Sequence, residues 1–129
     1  NGMKAPVKVQ RKVMTPVTTI NGGAIRLFAP AEHLGIGEGI ETSIAAHMLH
    51  DQLPVWPVMN KNGIRTFEPP IGVKRLTIFA DNDANFVGQA AAYACAERLT
   101  KRGLACDVRV PLFPDTDWND ELLKQVEAA

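Results

Sequence analysis

The hydrophobic pattern changes period several times along the chain, and each change marks an element. Val17-Thr18-Thr19-Ile20 and Ala24-Ile25-Arg26-Leu27-Phe28 are apolar or β-branched runs either side of Asn21-Gly22-Gly23, whose residues tolerate positive φ, so a β-hairpin is predicted. From His33 onward, short apolar runs alternate with helical periodicity. Leu34-Gly35-Ile36-Gly37 runs into Glu38-Gly39 and then a helix with Ile40, Ile44, Met48 and Leu49 on one face. A second strand spans Val55 to Met59, and Asn60 to Gly72 reads as a loop. Arg75-Leu76-Thr77-Ile78-Phe79-Ala80 is a third strand and leads straight into Asp81. The next helix carries Val87, Ala91, Ala94 and Leu99 on one face and stops at Gly103. Leu104 to Val110 is a fourth strand. A closing helix starts near Asn119, is capped by Asp117 or Asn119, and buries Leu122, Leu123 and Val126.

Strands separated by helices need crossover connections. The expected fold is therefore α/β: a Rossmann-like, four-stranded, mostly parallel sheet with helices on both faces, preceded by an N-terminal β-hairpin. Residues 1–16 form an entry arm, beginning with Asn1-Gly2, which reads as a tag remnant; residues 17–129 form a single domain. The arm carries Lys4, Lys8, Arg11 and Lys12 without an acid and is read as a solvated linker cut from a longer polypeptide.

Composition narrows the function classes. With 46% apolar and 22% charged residues the chain is neither disordered nor fibrous. Fourteen bases balance fourteen acids, so nucleic acid is not gripped by bulk charge and any contact needs local patches or partner domains. The apolar runs are too short to span a membrane and the start lacks a secretion signal, so a cytoplasmic protein without a membrane partner is expected. Cys95 and Cys106 have no metal-ligand spacing and are expected to be reduced thiols. His47 and His50 share a helix end without further ligands, which suits the helix dipole better than zinc.

The carboxylates at strand ends carry more. In an open α/β sheet the ligand site lies beyond the carboxyl ends of the strands, so acids capping two strands converge on one point. Glu38 caps one strand, and Asp81 and Asp83, two apart in extended chain, cap another. Hard oxygen donors of this kind suit Mg²⁺, which takes one or two carboxylates and keeps several waters; Mn²⁺ is the natural substitute. Against this stands a plain turn and cap, since Asp and Asn favour both. Asp117 and Asp120 flank Trp118-Asn119 after the fourth strand and either bind a second metal at the same edge or cap the last helix. Lys61, Arg65, Lys74 and Arg75 surround the 60–72 loop near the proposed metal; Lys61 and Arg65 are the candidates for phosphate and nucleic-acid contact, with solvated charges as the alternative.

Glu38-Gly39 within Gly37-Glu38-Gly39-Ile40-Glu41-Thr42, followed by Asp81-Asn82-Asp83, resembles the Toprim catalytic domain over about residues 33 to 127. Asn85 to Ala92 and Asp117-Trp118-Asn119-Asp120 look most like the Toprim domains of plasmid, phage and mobile-element DNA primases and primase-helicases. Gly88 departs from the pattern by lying further from the second Asp than in many relatives. The resemblance implies that Asp81 and Asp83 coordinate Mg²⁺ and that Glu38 is the catalytic acid/base. It also implies nucleotides and a single-stranded DNA template as partners, with zinc-ribbon and helicase domains elsewhere in a longer protein. A Toprim nuclease and a non-catalytic nucleic-acid docking module are the alternatives. A topoisomerase needs a nucleophilic tyrosine, and the sole Tyr93 sits mid-helix, where packing is expected. A haloacid-dehalogenase-like phosphatase using Asp81 as nucleophile leaves Glu38-Gly39 unexplained.

Overall fold

In the computed structural model, residues 19–20 and 24–128 are described; the 1–16 arm and the hairpin turn Asn21-Gly22-Gly23 lie outside them. Strands form where the short apolar runs fall: β1 (Thr19–Ile20), β2 (Ala24–Ile25), β3 (His33–Glu38), β4 (Val55–Val58), β5 (Arg75–Phe79) and β6 (Ala105–Arg109). They make one six-stranded sheet in the order β1-β2-β4-β3-β5-β6. The four strands β4-β3-β5-β6 are mutually parallel, as expected. The hairpin strands β1 and β2 pair antiparallel, and β2 extends the same sheet through Ala24 against Val58. The hairpin is thus continuous with the sheet rather than a separate preamble. That short ladder also leaves room for Pro57 in β4, because a proline has no N–H to give to a neighbour.

Among the described residues four helices cover the two faces: α1 (Ile40–Leu49), α2 (Lys61–Thr66), α3 (Val87–Lys101) and α4 (Trp118–Ala128). On one face Leu34, Ile36, Trp56, Val58, Leu76 and Ile78 meet Ile64 of α2 and Ala91, Ala92, Cys95 and Leu99 of α3. On the other, Val55 and Phe79 meet Ala45 and Ala46 of α1 and Trp118 of α4. The alternation of these residues along each strand is the period-two rule at work.

The helix faces differ from those expected. In α1 the buried residues are Thr42, Ser43, Ala45 and Ala46, while Ile40 is 38%, Ile44 39% and Met48 53% exposed. Small side chains let the helix lie close to β3, where a Cβ on Gly37 would stand 3.0 Å from Ser43 Oγ. In α3 Val87 is exposed and Ala92 and Cys95 take its place in the core. In α4 Trp118 is buried and Leu122 partly so, whereas Leu123 and Val126 face outward. Tyr93 is exposed rather than packed.

The 60–72 segment is not all loop, since Asn60 caps α2 by accepting from the Gly63 N–H at 2.7 Å. Cys95 is buried and Cys106 half-buried, both as free thiols. Burial pushes the Cys95 thiol up to about 11, so it is inert near neutrality. Among the described residues no helix is long and apolar enough to cross a membrane.

Candidate metal centre

Glu38 is the last residue of β3, and the chain must turn at once into α1. Gly39 does this with φ +83, a conformation that side chains disfavour, while its N–H donates to Val58 O at 3.0 Å. Ser43 Oγ donates back to Gly39 O at 2.8 Å. The turn is thereby tied to β4 and to α1, and the Glu38 carboxylate stands at the sheet rim.

The second acidic element is built around Asn82. Its N–H donates to Thr116 O at 2.9 Å, its carbonyl accepts from the Asp115 N–H at 2.6 Å, and its side-chain amide donates to Pro111 O at 2.9 Å. Asn82 is therefore laced to the segment between β6 and α4. Alternation in extended chain puts its two neighbours, Asp81 and Asp83, on the opposite side and hence together. Trp118 Nε1 donates to Ala80 O at 3.1 Å, in the core, and steadies the residue just before Asp81.

Gly88, near the start of α3, measures how closely the two elements approach. A Cβ on it would stand 3.9 Å from Asp83 Oδ2, 3.9 Å from Glu38 Oε1 and 4.0 Å from Lys61 Cε. The two carboxylate oxygens thus lie within twice 3.9 Å of each other. Asp81 belongs to the same group: burial first, then the charges of Asp117, Asp83 and Glu38, push its carboxyl up to about 6, against a downward pull from the Trp118 backbone N–H.

Two enclosed side-chain oxygens lack a hydrogen-bond partner among the described residues, Asp81 Oδ1 and Glu121 Oε2. Lys124 Nζ lies 3.6 Å from the latter, so Asp81 Oδ1 is the one with no compensation. An enclosed, unpaired carboxylate oxygen among like charges fits a cation site and is otherwise costly.

Asp117 and Asp120 perform the capping role. Asp117 Oδ1 accepts from the Asp120 N–H at 2.8 Å and Asp120 Oδ2 accepts from the Asp117 N–H at 2.9 Å, a reciprocal box at the start of α4. Asp117 remains close enough to Asp81 to be the largest charge acting on it.

Lys61, the first residue of α2, places its ammonium 3.0 Å from Glu38 Oε2. Its pKa is raised, first by that hydrogen bond and the Glu38 charge, with smaller contributions from Asp83 and Asp81. Arg65 lies one turn further along α2, exposed, with its backbone carbonyl accepting from Arg98 at 2.7 Å. Lys74 and Arg75 sit at the start of β5, the opposite end of the sheet from Glu38 and Asp81, paired with Glu32 and Asp107. The expectation that they flank the metal is therefore corrected.

His47 Nδ1 lies 2.6 Å from Leu53 O and His50 Nδ1 2.8 Å from Ala46 O; the His47 ring stacks on Phe28, and the His50 ring meets Phe79 tilted and Trp118 edge-on. Among the described residues no group of three or more His, Cys, Asp or Glu side chains is placed to hold a metal ion. Mg²⁺ takes only one or two protein carboxylates and keeps several waters. A groove of about 440 Å³ runs along another part of the sheet, past His33, His50, Thr77 and Arg109, and includes none of the rim carboxylates. Sequence reasoning missed the Glu38–Lys61 pair, whose members are 23 residues apart, and the anchoring role of Trp118.

Comparison with known proteins adds two findings. The sequence profile of the Toprim domain family matches residues 33–128. A crystal structure of a DNA primase domain from Pseudomonas aeruginosa is similar in fold, with a TM-score of 0.57 at 15% identity, covering 81% of this chain and 35% of that one. The chain thus spans about a third of the length of that neighbour. A search of curated protein sequences gave no match.

Proposed function

The chain belongs to the Toprim family, and on that footing we propose that its acidic rim binds Mg²⁺ and carries nucleotidyl transfer in primer synthesis, as the catalytic piece of a longer DNA primase of the plasmid, phage or mobile-element kind. The observation that carries this reading is the enclosed, unpaired Oδ1 of Asp81, set among the charges of Asp117, Asp83 and Glu38.

Asp81 and Asp83 would hold the ion through hard oxygens. When bound, Mg²⁺ neutralises phosphate oxygens and favours in-line displacement at phosphorus. Glu38 accepts the proton of the primer 3′-hydroxyl as its oxygen bonds to the α-phosphorus of the incoming nucleotide and the bond to pyrophosphate breaks. Asp117 adds negative potential at the rim while it caps α4, and Asp120 serves the cap. Lys61 and Arg65 offer positive charge to the nucleotide or template backbone. Single-stranded template, nucleotides and further domains of the parent polypeptide, a zinc ribbon and a helicase, are the partners this reading requires.

The test is primer synthesis by the parent polypeptide on a single-stranded template with nucleotides and Mg²⁺. Glu38→Gln, Asp81→Asn and Asp83→Asn are each expected to lower the rate by about a hundredfold or more. Primer synthesis at the wild-type rate by Asp81→Asn refutes the assignment. Cleavage of the template without synthesis assigns the site to a nuclease instead.

A further inference from the structure

We propose that Lys61 is a tethered counter-cation of the acidic rim, seated on Glu38 and obliged to leave when a divalent ion enters, so that it sets the metal affinity of the site. This rests on the metal-binding reading above and concerns how that site is regulated.

Three observations carry it. The first is the contact itself. Lys61 Nζ stands 3.0 Å from Glu38 Oε2, the tightest lysine ion pair among the described residues; those of Lys74, Lys101 and Lys124 measure 3.6, 3.4 and 3.6 Å. Two of those looser pairs are local contacts within one helix, whereas Lys61 and Glu38 belong to different elements.

The second is placement. Lys61 is the opening residue of α2, directly after the Asn60 cap, where the helix dipole disfavours a positive charge. Helix chemistry therefore does not account for a cation at this position; the carboxylates facing it do. Lys61 Cε lies 4.0 Å from the position a Gly88 Cβ would occupy, and Asp83 Oδ2 and Glu38 Oε1 lie 3.9 Å from the same point. The ammonium stem and two acids of the proposed metal site thus surround one small space.

The third is freedom to leave. The Lys61 and Glu38 side chains are 38% and 28% exposed, so the pair opens to solvent rather than being locked in the core. A lysine is a point charge on a flexible four-carbon stem and suits reversible seating better than a planar guanidinium fork. The room beside it, a cavity of about 10 Å³ lined by Glu38, Lys61, Ile64 and Gly88, is on the scale of one water. The ammonium, 3.0 Å from Glu38 Oε2, occupies the carboxylate oxygen that an entering cation would face.

The experiment is Mn²⁺ titration followed by electron paramagnetic resonance at neutral pH, with melting in EDTA as a second readout. The proteins compared are wild type, Lys61→Met, Lys61→Gln, Lys61→Arg and Asp81→Asn. Removal of the competing charge is expected to tighten Mn²⁺ binding by about three- to tenfold in Lys61→Met and Lys61→Gln, and not in Lys61→Arg. The same two neutral variants are expected to melt below wild type in EDTA and to regain more on adding Mn²⁺. If both neutral variants bind Mn²⁺ with wild-type or weaker affinity while Asp81→Asn weakens it, the counter-cation role is overturned and the metal site stands. If neither wild type nor the neutral variants bind Mn²⁺, the metal site itself falls, and this inference with it.

Discussion

Asp81→Asn separates the cost of the acidic rim from its use. Burial and three neighbouring carboxylates move the Asp81 midpoint from 3.8 to about 6. The difference corresponds to about 3 kcal/mol between its two protonation states before solvent screening. The residue is half-buried, with one oxygen fully enclosed, so screening reduces this to about 1–2 kcal/mol. The sign is fixed by linkage. Between pH 3.8 and about 6 the folded protein holds the proton more tightly than the unfolded chain does, so wild-type stability falls as pH rises through that window. Above about pH 7 the penalty is complete. Asn removes the charge, and its NH₂ group, placed where the unpaired oxygen stands, faces carboxylates. In EDTA at pH 8 the variant is therefore expected to be more stable by about 1–2 kcal/mol, or about 3–8 °C in melting temperature. The gain shrinks to nothing as pH falls below 4, and saturating Mg²⁺ reverses the order by stabilising only wild type. Urea unfolding at a series of pH values, with and without Mg²⁺, measures all three. A less stable variant at pH 8 in EDTA, or a gain equal at pH 4 and pH 8, refutes the reasoning.

Other substitutions test the supports of the site. Asp117→Asn keeps a capping oxygen and removes the largest charge acting on Asp81, so carboxyl NMR titration should show the Asp81 midpoint falling from about 6 toward 3.8. Asp120→Ala breaks the reciprocal cap and should cost about 1 kcal/mol in urea unfolding. Mn²⁺ affinity should stay unchanged in that variant; a tenfold loss, about 1.4 kcal/mol, marks Asp120 as a ligand instead. Trp118→Phe leaves the Ala80 carbonyl unpaired in the core and should cost about 1–3 kcal/mol by the same assay. Gly88→Ala adds a Cβ at ordinary contact distance and should bind Mn²⁺ like wild type. Gly88→Leu fills the space between Asp83 and Glu38 and should lose binding while still melting cooperatively.

Strands were the most legible part of the fold, because short β-branched runs ending in Gly, Asp or Asn have few other uses. The faces of the helices were not, and the reason is specific. Bulky Ile40, Ile44 and Met48 form the obvious stripe on α1, yet Ala45 and Ala46 take the inner face because the helix lies too close to β3 for larger side chains. Helix α2 escaped notice because its six residues are shorter than two turns and show no periodicity. The joining of the hairpin to β4 depends on one long-range pair, Ala24 with Val58, which no local pattern announces. The placement of Glu38, Asp81 and Asp83 near one another at the sheet rim was readable from their positions at strand ends. Capping of the last helix was one of two readings left open for Asp117 and Asp120, and their reciprocal bonds were not legible. Nor was the partner of Lys61, since chemistry between residues 23 apart depends on where β4 delivers the chain.

Anomalous diffraction at the manganese edge, from crystals grown with Mn²⁺, bears most directly on the claim that these carboxylates share one cation. The account expects a peak at the sheet rim bounded by Glu38, Asp81 and Asp83, with Lys61 drawn away from Glu38. A rim without a peak, or a peak that none of the three side chains faces, contradicts it.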